Sequence, residues 1–155
     1  MELVSIATAI TLTEWSERTF WRRFADGSLK KRETANGKSM VDFWSIKPHI
    51  CILLDEEDIL LIKDADAGEV EAQNDLALIF LSNDKPKSAI YWLKLAAQQD
   101  YANAMHLLGR CYIDGNGLAR NENLGIMWIA KAASLGDVIS QAQMQSMVDR
   151  LAGKH

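Results

Sequence analysis

The amino-acid sequence predicts a mainly α-helical protein: a short α-solenoid of helical hairpins, preceded by a small N-terminal module that contains a β-hairpin. Two observations support this fold class. One pattern of apolar and small residues occurs twice between residues 68 and 136, and internal repeats of this length are typical of solenoids. Only two of the 155 residues are proline, so helices meet few obligatory breaks. We expect the N-terminal module over residues 1–50 and the solenoid, with a C-terminal capping helix, over residues 51–155.

Composition and charge narrow the class of protein. Hydrophobic residues make up 48% of the chain and charged residues 25%, as in ordinary soluble proteins. The net charge of −4 argues against non-specific nucleic-acid binding by the whole chain. Residues 1–50 are different, because they hold eight Lys or Arg against six Asp or Glu, and such asymmetry indicates two working surfaces.

Location is predicted from the cysteines and from the hydropathy pattern. Cys51 and Cys111 form no paired motif, which favours a reduced, cytoplasmic protein. The first residues lack the basic segment of a signal peptide. No apolar run is long enough for a membrane span, so we expect no membrane association.

The N-terminal module is expected to contain an aromatic helix. Thr11 and Glu14 have the spacing of a capping box, and Ser16 is an alternative N-cap. Either helix would end near Gly27, which suits a left-handed C-cap. One face of this helix is aromatic, with Phe20, Trp21 and Phe24. A short helix with so much aromatic surface must pack on both sides or bind another molecule.

A β-hairpin is predicted next, because Asn36-Gly37 is the pair preferred in type I′ turns. The helix and hairpin together have the layout of a winged helix-turn-helix, and the string SERTFWRRFADGSL resembles the recognition segment of excisionase-like DNA-binding domains. Such a domain needs a preceding helix, between Leu3 and Leu12. The resemblance implies DNA contacts by six basic residues: Arg18, Arg22, Arg23, Lys30, Lys31 and Arg32. The alternative is a small capping module whose arginines are solvated or paired with acidic neighbours.

A further helix is expected from Asp55 to Ala67. Asp55 suits the N-cap, and Glu56, Glu57 and Asp58 would lie in the first turn, where acidic groups oppose the helix dipole. Consecutive helical residues point in different directions, and the spacing is not that of a calcium loop. We therefore expect no metal site at this acidic cluster.

The repeat defines the solenoid. The first-helix pattern is repeated at an offset of 32 residues, which aligns Ala72, Leu76, Ala77 and Phe80 with Ala104, Leu108, Gly109 and Tyr112. The second-helix pattern is repeated at an offset of 36 residues, which aligns Ala89, Trp92, Leu93 and Ala96-Ala97 with Gly125, Trp128, Ile129 and Ala132-Ala133. The four-residue difference falls in the loop between the two helices of a hairpin, where a stack of hairpins tolerates insertions. Residues i, i+4, i+5 and i+8 share one helix face, and the Ala or Gly at i+5 allows a close second helix.

These motifs closely resemble the Sel1-like repeat, a relative of the tetratricopeptide repeat, over residues 64–151. The second copy carries most of the resemblance: Ala104, Leu108, Gly109, Tyr112, Gly115, Gly117, Trp128, Lys131, Ala132, Ala133 and Gly136. The first copy is degenerate, since it has Ala77 for glycine and no Gly-x-Gly. After Gly136 a third copy begins but has no second helix, which predicts a capping helix.

The resemblance implies a non-enzymatic adaptor that binds another protein or peptide on the concave face of its first helices. Four residues fall at positions that hairpin packing leaves free: Asn74, Leu78, His106 and Arg110, with Ala142 and Ser146 equivalent in the cap. The alternative is that His106 packs against a neighbouring helix and Arg110 is only solvated. No catalytic or metal-binding motif is present, so we expect neither an enzyme nor a cofactor. The second hypothesis is a DNA-binding regulator in which residues 1–50 contact DNA and the repeats hold a partner or form a homodimer.

Overall fold

The computed structural model describes residues 2–153, and the chain forms two compact units, Met1–Ala67 and Gly68–His155. The described residues form nine α-helices and three short strands, which confirms the mainly α-helical class with a small N-terminal β-hairpin. The division after Ala67 differs from the expected boundary after residue 50. The helix expected at Asp55–Ala67 contacts the first strand of the N-terminal unit, as described below, and so belongs to that unit.

The N-terminal unit combines short helices with a three-stranded antiparallel sheet of order β1-β3-β2. Its elements are β1 (Leu3–Ser5), α1 (Ile6–Thr13), α2 (Glu17–Ala25), β2 (Lys31–Glu33), β3 (Ser39–Asp42), α3 (Phe43–Ile46), a 3₁₀ turn (Lys47–His49) and α4 (Glu56–Asp66). The strand β3 lies in the middle, with Val4 opposite Val41 on one side and Arg32 opposite Met40 on the other. The core of the unit includes Phe20 and Ile62, which are fully buried.

The helix that carries the aromatic face begins after Ser16. The Ser16 hydroxyl accepts a hydrogen bond from the Thr19 N–H at 3.1 Å, so Ser16 is the N-cap. The alternative start at Thr11 is wrong, because Thr11 lies inside α1 and its hydroxyl donates to the Thr8 carbonyl at 2.8 Å. Glu14, at φ 54°, ends α1. Only three residues therefore separate α1 from α2.

The hairpin between β2 and β3 forms at the expected place but with a different turn. A type I′ turn needs positive φ at both central residues, and only Gly37 has it, at +81°. The Thr34 N–H donates to the Lys38 carbonyl at 2.8 Å, and the Gly37 N–H donates to the Thr34 carbonyl at 2.9 Å. This is a three-residue loop in which glycine supplies the left-handed position.

A carboxylate ties α4 to the start of the chain. Asp66, at the end of α4, accepts hydrogen bonds from the Ser5 N–H at 3.1 Å, the Ser5 hydroxyl at 2.6 Å and the Thr8 hydroxyl at 2.5 Å. Hydrogen bonds to a charged acceptor are stronger than neutral ones. Lys63, one turn earlier, forms an ion pair with Glu2 at 2.6 Å. These contacts fix the last helix of the unit against β1 and α1.

The second unit is two helical hairpins and a final single helix. The hairpins are α5 (Val70–Ser82) with α6 (Pro86–Gln98), and α7 (Ala102–Asp114) with α8 (Glu122–Ser134); the last helix is α9 (Val138–Leu151). Three residues join α5 to α6 and seven join α7 to α8. The difference, seven minus three, is the four-residue insertion predicted from the two repeat offsets.

The two hairpins differ at the point where their helices come closest. The first hairpin has Ala77 and Ala89 at this point, both fully buried, and the second has Gly109 and Gly125. A Cβ atom at Gly109 would lie 2.8 Å from the Gly125 carbonyl oxygen, and one at Gly125 would lie 2.7 Å from the Gly109 carbonyl oxygen. The second hairpin therefore has no room for even a methyl group between its backbones.

Candidate functional site

The first-helix face is the surface that α5, α7 and α9 present at the positions of Leu78, Arg110, Ala142 and Ser146. The hairpin period leaves these positions outside the contact between the two helices of each hairpin. Leu78 is 39% exposed, and Arg110, Ala142 and Ser146 are also exposed. Each repeat contributes its first helix to this face.

Two of the four predicted partner-binding residues lie beneath this face. Asn74 and His106 are buried, with 3% and 5% of their surfaces exposed. The Asn74 side-chain amide donates to the Asn103 side chain at 2.9 Å, which links α5 to α7. His106 Nδ1 lies 3.0 Å from the Ser140 hydroxyl oxygen, which links α7 to α9. His106 therefore packs against a neighbouring helix, and of the four residues only Leu78 and Arg110 are exposed.

The surroundings of His106 favour its neutral form. Burial lowers the pKa of the ring below its ordinary value, and Arg110, one turn away, lowers it further. Asp137 acts in the opposite direction, since its Oδ2 lies 3.8 Å from Nδ1. The same oxygen accepts a hydrogen bond from the Ser140 N–H at 2.8 Å and so caps α9.

The stability of the second unit is expected to fall as the pH falls through the range in which histidine titrates. The His106 pKa is lower in the folded than in the unfolded state, so the unfolded state binds more protons. The contribution of neutral His106 is complete above the unfolded pKa of about 6.5 and is lost as the pH falls toward the lower folded value. Urea unfolding between about pH 7.5 and pH 5.5 measures this.

His106→Asn is the matched control for the pH dependence, because asparagine keeps polar groups near Ser140 but does not titrate. At the neutral end of this pH range the variant is expected to be less stable than the wild-type protein. Its unfolding free energy should also depend less on pH. Equal slopes for both proteins would exclude His106 as the source.

A groove with a volume of about 400 Å³ lies along the first-helix face between α7 and α9. Its lining is mostly apolar, with Ile113 from α7, Ile129 from α8, and Ile139 and Met147 from α9. Two arginines, Arg110 and Arg150, also line it. The same groove is lined by Ala142 and Ser146, which lie on the capping helix at the positions equivalent to His106 and Arg110. The groove therefore joins the expected surface of α7 to that of α9.

Gln143 gives the groove an unsatisfied hydrogen-bond acceptor. Its side-chain oxygen is buried and has no donor among residues 2–153, although the side chain lines the groove. Leaving such an acceptor unpaired in the folded protein costs about 1–3 kcal/mol. A donor supplied by a bound molecule would remove this cost if the side chain turned its oxygen into the groove.

The basic residues of the N-terminal unit lie on consecutive elements. Arg18 and Arg22 are exposed on α2, and Lys30, Lys31 and Arg32 are exposed at β2. The Lys31 ammonium lies 4.8 Å from the centre of the Phe24 ring, so the hairpin lies beside the end of α2. The sixth predicted residue, Arg23, is directed elsewhere, because its guanidinium stacks 4.5 Å from the centre of the Trp15 ring.

Other kinds of site find little support in the described part of the chain. No group of three His, Cys, Asp or Glu side chains within residues 2–153 is placed to hold a metal ion. No helix described by the structure has the length and apolar character needed to cross a membrane. Cys111 is buried, which raises the pKa of its thiol and disfavours the reactive thiolate.

Comparison with known proteins bears on the second unit. A family model described as Sel1 repeat matches residues 70–101 and 102–137. A solved structure of a Sel1 repeat protein from Oxalobacter formigenes is similar to this chain, with 29% sequence identity and a TM-score of 0.56. The similarity covers 62% of this chain and 75% of that chain. No curated protein matches.

Proposed function

Because this chain contains two Sel1 repeats, at residues 70–101 and 102–137, we propose that it is a non-enzymatic adaptor that binds another protein or peptide on its first-helix face. Sel1 repeats generally bind other proteins, and proteins built from them are typically non-enzymatic scaffolds. The observation that carries the proposal is the groove between α7 and α9, which Arg110 lines. Neither Cys51 nor Cys111 forms a disulfide within residues 2–153, which supports a cytoplasmic location.

Charge and shape changes on the first-helix face test this proposal. The full chain, tagged and expressed in its own host, is compared with Leu78→Glu/Arg110→Glu. Both side chains are exposed, so the fold should persist, and the far-UV circular dichroism spectrum checks this. Loss of the captured partners is expected. The matched control is Lys87→Glu/Lys94→Glu on exposed positions of α6, which should retain them. If the control variant lost the captured partners and the Leu78→Glu/Arg110→Glu variant retained them, the partners would bind at a surface other than the first-helix face.

A second candidate function, DNA binding by the N-terminal unit, is favoured by one specific arrangement. The chain runs from β1 through α1, a three-residue turn and α2 into a hairpin that pairs with β1. This is the element order of a helix-turn-helix with a wing. Five exposed basic residues lie on α2 and at β2 (Arg18, Arg22, Lys30, Lys31 and Arg32), where they would contact phosphates. We propose that α2 would then enter the groove of the DNA and that the repeats would hold a partner or a second copy.

Salt dependence distinguishes DNA contact from a merely solvated basic surface. Each phosphate contact contributes a slope of about −0.9 to log K against log salt. Arg18→Ala/Arg22→Ala in the full chain should therefore make the slope shallower by about 1.8. Lys87→Ala/Lys94→Ala removes the same charge from α6 and should leave the slope unchanged. No duplex binding by the folded wild-type protein at about 50 mM salt would exclude this function.

A further inference from the structure

We propose that the groove between α7 and α9 takes an acidic peptide segment that also carries an apolar side chain. The inference rests on the proposed function, because it names the chemistry of the partner that the first-helix face binds. Three features of the groove lead to it: two unpaired arginines, an apolar floor and one unsatisfied acceptor. Each feature selects a different part of the ligand.

The arginines select for negative charge. Arg110 on α7 and Arg150 on α9 line the groove from its two sides, and both are exposed. Neither guanidinium has an ion-pair partner among residues 2–153. No acidic side chain lines the groove. Arginine forms paired, charge-assisted hydrogen bonds to carboxylates, so a ligand with two spaced carboxylates complements this charge, and a basic ligand would be repelled.

The floor selects for an apolar side chain between the carboxylates. Ile113, Ile139 and Met147 contribute to the lining, and Ile139 is 57% exposed. In the complete repeats, a second helix covers part of the first helix, but α9 is followed by no such helix within the described residues. Large exposed apolar side chains beside a groove are typical of interaction sites, and methionine adapts well to ligand shape.

Gln143 selects for a backbone donor. Its buried side-chain oxygen has no donor among the described residues. An extended peptide presents N–H groups along its length, and a rotation of the Gln143 side chain into the groove would bring this oxygen within reach of one of them. A small acidic metabolite would satisfy the arginines but would neither fill the apolar floor nor supply the N–H group, so a peptide accounts for all three features.

A displayed library of short random peptides, selected on the folded full chain, tests the proposal. The expected result is enrichment of peptides with two or more acidic residues flanking Leu, Ile or Met. Synthetic versions of the enriched peptides are then titrated by fluorescence anisotropy. Arg110→Glu/Arg150→Glu should raise Kd about a hundredfold, because each of the two lost charged contacts contributes about a factor of ten. Gln143→Met keeps the side-chain volume but removes the acceptor, and should raise Kd less than the double arginine variant does.

Arg120→Glu is the matched control, because Arg120 is exposed on the loop before α8 and is outside the groove lining. It should leave Kd unchanged. Enrichment of basic or neutral peptides, or equal binding by the Arg110→Glu/Arg150→Glu variant, would overturn the inference. If the peptide test fails but partners are still captured through Leu78 and Arg110, the adaptor function stands and only the acidic-peptide inference is overturned. If the capture of partners fails as well, the adaptor function and the inference are both overturned.

A second copy of this chain is the remaining occupant to exclude, because its own acidic segment, Asp55 to Asp58, precedes apolar residues. Sedimentation of the full chain separates this case. A monomer that binds the selected peptides supports a partner-derived segment. A dimer that dissociates in the Arg110→Glu/Arg150→Glu variant would instead identify the occupant as the chain itself and overturn the proposal.

Discussion

Trp92→Ala is expected to destabilise the second unit by about 3–5 kcal/mol. Trp92 lies on α6, is 1% exposed, and carries the largest fully buried side chain among the described residues. Its removal takes away the transfer free energy of an aromatic ring and leaves a cavity that the helices fill only in part. Urea unfolding followed by far-UV circular dichroism measures the loss.

Trp128 provides the matched control, because it occupies the same repeat position on α8. It is only half-buried, and the Lys131 ammonium lies 5.0 Å from its ring centre. Trp128→Ala should therefore cost clearly less than Trp92→Ala. Equal losses would mean that repeat position, rather than burial in this chain, decides the contribution of the tryptophan.

Gly125→Ala is expected to destabilise the protein by about 1–3 kcal/mol, although alanine is the better helix former by about 1 kcal/mol. A Cβ atom at this position would lie 2.5 Å from Ile113 Cγ1 and 2.7 Å from the Gly109 carbonyl oxygen. The side chain could rotate away, but the carbonyl belongs to the backbone of α7. The hairpin must therefore separate, and urea unfolding should show the loss.

The first hairpin gives the opposite case at the same repeat position. Ala89 already carries the methyl group there and is fully buried, so Ala89→Gly should destabilise through the poorer helix propensity of glycine, by about 1 kcal/mol, and through lost packing. If Gly125→Ala instead stabilised the protein, helix propensity would outweigh the backbone contact, and the close approach of α7 and α8 would not limit this position.

The repeats were predictable because the hairpin packing that forms them is local. The period of Ala72, Leu76, Ala77 and Phe80 places one face of α5 on α6, and the same period recurs in α7. The four-residue insertion also follows from the two offsets. Contacts between successive hairpins do not follow this period. The burial of Asn74 and His106 comes from the next first helix, so a pattern that describes one hairpin leaves both positions apparently free.

The groove was predictable only in part. Ala142 and Ser146 follow from the repeat, and another step of four residues along the same face of α9 reaches Arg150, so a signal for Arg150 was present. Gln143 gave no such signal, because its unsatisfied acceptor depends on which donors the fold brings near. The pairing of α7 with α9 around the groove likewise required the structure.

The N-terminal unit shows where short-range patterns fail. The strand β1 has three residues, which is too short for an alternating pattern to identify, and its partner β3 lies far along the chain. The turn at Gly37 also differs from the expected type, because the loop has three residues and Asn36 keeps negative φ. The helix α1 forms despite its β-branched residues, because Ala9 and Leu12 are fully buried and most helical stability in proteins comes from tertiary packing.

Site-specific photo-cross-linking in the native host shows whether the first-helix face binds a protein. A photo-reactive amino acid is placed at Leu78 or Ala142 on this face, and at Lys87 or Lys94 on α6 as the matched pair. We expect Leu78 and Ala142 to cross-link the same protein and the α6 positions not to cross-link it. Cross-linking of a partner from Lys87 and Lys94, with none from Leu78 or Ala142, would contradict this expectation.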